Sequence, residues 1–172
     1  LKSRYDNKYI SGTNLLNTIQ GERVKSTEEL TIANFLFFHG IKYKYEKRYP
    51  HTDYSYQPDF YLTEYDIYLE HFGVDESNRA RWLNSVKEKE YVDGMLKKKE
   101  VHKQNNTKLI CTYSYYNKNN LLKDKLRELL ESNGVKLKAI DVEEVYEKIK
   151  QNDKNFGLSL IHISEPTRRT PI

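Results

Sequence analysis

The chain has 172 residues, 37% hydrophobic and 31% charged, with a formal net charge of +4. That is one ordinary domain's worth of polypeptide, enough for a single sizeable core beneath a well-solvated surface. No apolar run approaches the roughly 20 residues that span a bilayer, so no membrane-spanning helix is expected. The single cysteine, Cys111, excludes a disulfide framework and a cysteine-rich zinc site, and fits a reducing cytoplasm. The mild positive charge permits phosphate contacts without identifying a nucleic-acid binder.

Residues 1–25 are polar and weakly patterned and read as an irregular connector. Ser26-Thr27-Glu28-Glu29 matches a capping box that opens a helix, Ile32, Ala33, Leu36 and Phe37 follow at helical spacing, and Gly40 closes it. Residues 41–46 alternate as a strand. Residues 56–62 and 67–72 are two more, joined by Thr63-Glu64-Tyr65-Asp66. A loop is expected over 73–86, a second helix over 87–103 and a buried strand over 109–115. A third helix over 121–132 is closed by Gly134, residues 135–140 read as a strand, and Asp141-Val142-Glu143-Glu144 caps a last helix. Most of the 15 tyrosines fall in strand-like stretches and are expected to be sheet residues. Helix, three strands, helix, strand argues for an α/β fold around one mixed sheet flanked by helices.

Residues 158–168 resemble the translation of a transposase-based sequencing adapter, and 169–172 continue it, so 158–172 are set apart from the fold. With Leu1 in place of an initiating Met, the chain is expected to be a fragment: a connector over 1–25, one domain over 26–152, and a tail over 153–172.

Pairing Leu62 with Ile67 places Phe60 opposite Leu69 and Asp59 opposite Glu70. Because strand side chains alternate, Phe60, Leu62, Ile67 and Leu69 then share an apolar face, and Asp59 and Glu70 fall on the other with Tyr61 and Tyr68. A one-residue slip would mix the two sets. Like charges directly opposed are destabilising, and a divalent cation removes the repulsion. Acids on a hairpin surface are commonplace, but here a third element joins them. On the second helix Tyr91, Met95, Lys98 and His102 share one stripe, so Lys98 points towards the sheet and Lys97 away, with Lys99 only slightly off the stripe. An ammonium there could stabilise a phosphoryl transition state, or simply snorkel over apolar surface.

These residues, Gln57-Pro58-Asp59-Phe60 and Ile67-Tyr68-Leu69-Glu70-His71-Phe72-Gly73, resemble the PD-(D/E)XK nuclease domain carried by UvrD/Rep-type superfamily 1 helicases of the DNA helicase IV kind. The resemblance runs from residues 22–29 through 32–36, 40–46 and the hairpin. It continues at 91–95, Lys98, His102 and 107–110, and ends at Leu121-Leu122. It implies a restriction-endonuclease-like αβββαβ core and Mg²⁺- or Mn²⁺-dependent hydrolysis of DNA, single-stranded or forked. Asp59 and Glu70 would be the metal-binding acids. Glu29, with Glu28 its neighbour as the alternative, would position the attacking water. The usual motif places lysine at position 72, where this chain has Phe72; the lysine then migrates to the following helix, and Lys98 matches it. His71 is expected to be structural. The resemblance further implies a 3'-5' helicase parent in a bacterial, nucleoid-associated cytoplasmic setting. Its ATP-using lobes would be partners outside this chain, which has no G-x-x-x-x-G-K-[ST] loop. The competing expectations are a nuclease-like DNA-binding module without catalysis, and a purely structural insert.

Overall fold

The protein is described here by a computed structural model covering residues 16–139 and 141–156. Residues 1–15 of the expected connector and the adapter-like 158–172 lie outside the described residues. Helix α1 (Thr27–Phe38) starts at Ser26, whose hydroxyl accepts the Glu29 N–H at 3.1 Å, as the capping signal predicts. It ends at Gly40, whose φ of +68° suits glycine and lets Ile41 N–H return to the Leu36 carbonyl.

Strands β3 (Tyr43–Tyr45), β4 (Phe60–Leu62), β5 (Ile67–Phe72) and β6 (Lys108–Tyr113) form one sheet in that order, antiparallel except for the parallel β5–β6 pair. Helix α2 (Ser85–Gln104) is the crossover that a parallel pair requires. Helices α3 (Leu122–Ser132) and α4 (Val142–Phe156) follow. The architecture is α/β with a mixed sheet between helices, and from α1 to β6 its elements come in the expected order. The hairpin register is also as expected, with Leu62 opposite Ile67 and Phe60 opposite Leu69.

Alternation divides the sheet into two unlike faces. Phe60, Leu62, Ile67, Leu69 and Ile110 pack against Ile32 and Leu36 of α1 and Leu122, Leu126 and Leu130 of α3 in one continuous core. The opposite face, under α2, carries two smaller clusters. Tyr49, Tyr56, Tyr68 and Val101 build one; Phe72, Val74, Ala80 and Met95 build the other.

Several segments differ from expectation. The strand expected over 56–62 is a strand only from Phe60, so Tyr56 to Asp59 lie outside the ladder. Within the expected irregular connector, β1 (Leu16–Asn17) and β2 (Arg23–Val24) pair as a hairpin, and Ile19 N–H is tied to Asn34 of α1. Strands this short give almost no periodic signal. The strand expected over 109–115 stops at Tyr113 and continues as a 3₁₀ turn, Ser114–Asn119. The strand expected over 135–140 joins no ladder through residue 139: Lys136 N–H goes to the Tyr65 hydroxyl and Lys138 N–H to the His39 carbonyl. Alternation specifies extended backbone, but pairing needs an open edge, and this segment lies along the α1 terminus instead. Helix α4 also runs to Phe156, through the boundary expected at 152. Among the described residues no helix is long and apolar enough to cross a membrane.

Candidate active site

The ladder between β4 and β5 ends at Phe60 and Leu69, and the next rung is made by side chains. Asp59 N–H donates to Glu70 Oε1 at 2.7 Å, and His71 N–H donates to Asp59 Oδ2 at 2.7 Å. Each carboxylate thus satisfies a backbone donor where the strands part, which fixes both acids side by side. The strand leading in is pinned as well. Glu46, in the left-handed region at φ +52°, donates its N–H to the Asp59 carbonyl.

Lys98 reaches in from α2, with Nζ 3.0 Å from Glu70 Oε2. It lies between Met95 of one cluster and Val101 of the other, while Glu70 lies between Tyr68 and Phe72 on the sheet. The pair therefore occupies the seam between the two clusters. Tyr56 and Phe72 wall it, their ring centroids 5.7 and 5.9 Å from the ammonium. Lys99 turns instead to the Tyr113 hydroxyl, at 2.6 Å, and Lys97 lies over exposed Tyr54. The structure thus separates Lys98 from Lys99, which helical spacing alone left close, and places Lys97 outside as expected.

Glu29 completes the group. It is buried at the first turn of α1, held by the Tyr45 hydroxyl on Oε1 (2.9 Å) and the Ser26 hydroxyl on Oε2 (3.2 Å). The helix N-terminus favours its negative charge, and that charge acts on both Asp59 and Glu70. Glu28, the alternative, is committed elsewhere: its Oε1 lies 2.7 Å from His71 Nε2. The other His71 ring nitrogen meets Thr112 Oγ1 at 2.8 Å, so His71 ties α1 to β5 and β6, as its structural reading expects.

Asp59 and Glu70 lie together with Lys98, and Glu29 is near enough for its charge to act on both acids. Burial, reinforced by Glu70 and Glu29, raises Asp59 well above the ordinary carboxyl range. Burial also raises Glu70, against the opposing pull of Lys98. Lys98 itself is disfavoured by burial, but Glu70 and Asp59 more than offset this and raise its pKa. The cluster is short of positive charge. Among the described residues no three His, Cys, Asp or Glu side chains lie together so as to hold a metal ion. A cation here would rest on two carboxylates, Asp59 and Glu70, and complete its shell with water and substrate oxygens. That donor set suits Mg²⁺, and no hydrogen bond from a described residue reaches Asp59 Oδ1.

Sequence reasoning missed Tyr45 and Tyr56 as parts of this site. Tyr56 stands three residues before Asp59, but nothing local shows that its hydroxyl meets His102 Nε2 at 3.0 Å. Buried His102 is held neutral, its pKa lowered to about 4 chiefly by burial.

No family model matches the chain, and no solved structure matches it. Over 144 residues, 83% of its length, the chain is 31% identical to the Uncharacterized protein MJ1519 of Methanocaldococcus jannaschii. It spans only 11% of that archaeal protein's length.

Proposed function

We propose that this chain is a metal-dependent nuclease module with a restriction-endonuclease-like core, hydrolysing DNA phosphodiester bonds within a larger 3'-5' helicase of the UvrD/Rep kind. One observation carries this reading: Asp59, just before β4, and Glu70 of β5 lie side by side with Lys98 of the crossover helix in one seam, and the charge of Glu29 on the first helix acts on both acids. A magnesium or manganese ion held by Asp59 and Glu70 would supply Lewis acidity towards a phosphoryl oxygen and acidify a water. The protein's own groups supply the rest. Lys98 sets a positive charge beside Glu70, where charge builds up on the phosphoryl group in the transition state. Glu29, fixed by Tyr45 and Ser26, is held to orient the attacking water. Tyr56 and Phe72 flank the ammonium, and the Lys98 side chain remains 40% exposed, so that a substrate phosphate can reach it. DNA, single-stranded or forked, is the proposed substrate; ATP use and strand separation are proposed for the parent protein's other lobes.

A second reading, a DNA-binding module without catalysis, is favoured by Phe72 at the usual lysine position. One assay separates the two. The chain should cut single-stranded or forked DNA with Mg²⁺ or Mn²⁺ and stop with chelator, and Asp59→Asn should abolish cutting while DNA binding remains. Binding without cleavage in either metal would sink the nuclease reading.

A further inference from the structure

We infer that Lys99 is a second, substrate-directed cation of this site, one that binds a backbone phosphate next to the scissile one. The inference rests on the nuclease reading for its ligand but on separate geometry for its residue. Lys98 and Lys99 flank the same ring: their Nζ atoms lie 5.9 and 5.7 Å from the Phe72 centroid. Phe72 ends β5 two residues beyond Glu70, so Lys99 stands at the margin of the seam that Lys98 enters.

The two ammoniums differ in what neutralises them. Lys98 is engaged by Glu70 at 3.0 Å. Lys99 meets only a phenol, the Tyr113 hydroxyl at 2.6 Å, and lies 4.9 Å from that ring's centroid. Burial, with Cys111 and Tyr115 nearby, raises the Tyr113 hydroxyl above its ordinary pKa, so it stays protonated and uncharged at neutral pH. Among the described residues no carboxylate lies within ion-pair distance of Lys99. An ammonium has three donors, and Tyr113 uses one.

The holder is itself fixed. Tyr113 stacks on Tyr115 at 5.3 Å and 10°, and Tyr116 packs edge-on against both. Ordering a lysine side chain costs about 2 kcal/mol of rotamer entropy, so an ammonium already oriented, yet unneutralised, is prepared for an incoming anion. Lys97, over the exposed ring of Tyr54, shows the contrasting case of a surface lysine away from the acids.

The test uses a fluorescein-labelled single-stranded oligodeoxynucleotide, with binding measured in an Asp59→Asn background and cleavage in the wild-type background. Lys99→Met should weaken binding about tenfold, the worth of one charged hydrogen bond. It should also reduce the slope of log K against log salt by about 0.7, one phosphate contact on a single strand. In cleavage the loss should appear in KM, with kcat little changed. Lys99→Arg should restore affinity, and Lys99→Gln, which keeps a polar head over the rings, should reproduce the Met result if the Met variant folds poorly. Unchanged affinity and salt slope in folded Lys99→Met or Lys99→Gln would overturn the inference even if the wild type cuts DNA. Failure of the wild type to cut would remove the nuclease reading, and the binding comparison would still decide the role of Lys99.

Discussion

On the α1–α3 face of the sheet, Phe60, Leu62, Ile67, Leu69 and Ile110 form one apolar layer with three leucines of α3, bordered at the end of β5 by the buried His71, Thr112 and Glu28. On the α2 face the layer is split, with tyrosines and Val101 at one end and Phe72, Met95 and Val74 at the other. Glu70 and Lys98 lie in the gap. The same strands build both faces, so the difference comes from alternate residues alone. The dry face supplies the stability that lets the other hold acids in a costly arrangement.

Substitutions should therefore affect one property on each face and spare the other. Leu126→Ala, at a fully buried site on the dry face, should cost about 2–5 kcal/mol in a denaturant titration, with the kcat of the remaining folded protein unchanged. A comparable loss of kcat would show the two faces to be coupled. Lys98→Met should do the reverse, lowering kcat by about 10²–10³-fold with Mg²⁺ present, its cost in Tm confined to the metal-free protein, where buried Glu70 loses its cation.

The smallest effect concerns the acids. The fold raises the Asp59 pKa above its unfolded value, chiefly by burial and then through Glu70 and Glu29. The folded state therefore holds that proton more tightly. The resulting stability is present below the unfolded pKa and lost as pH rises through the folded one. Without metal at neutral pH, Asp59→Asn should raise Tm, by about 2–4 °C for each kcal/mol recovered. Added Mg²⁺ should raise Tm in the wild type and not in the variant. A variant that melts lower than wild type at neutral pH and gains at low pH would reverse the sign and remove the charge-deficit account.

Much of this was legible locally. The Ser26 cap, the Gly40 stop and the β4–β5 register follow from residue types at fixed spacing, and that register puts Asp59 beside Glu70. The stripe through Met95, Lys98 and His102 likewise marks the inward side of α2, where Met95 and His102 are buried. The 135–140 segment was misread because alternation reports extended backbone, not the partner it needs.

The amino-acid order by itself determined the order of elements from α1 to β6, the split of the hairpin into an apolar and an acidic face, and the pairing of the two acids, because all of these depend on neighbours close in the chain. Tertiary structure decided that the charge of Glu29 acts on Asp59 and Glu70 while Glu28 pairs with His71, and that Lys98 meets Glu70 while Lys99 meets Tyr113. Adjacent residues on a helix point about 100° apart, and only the packing of that helix against the sheet selects which of them faces a distant charge.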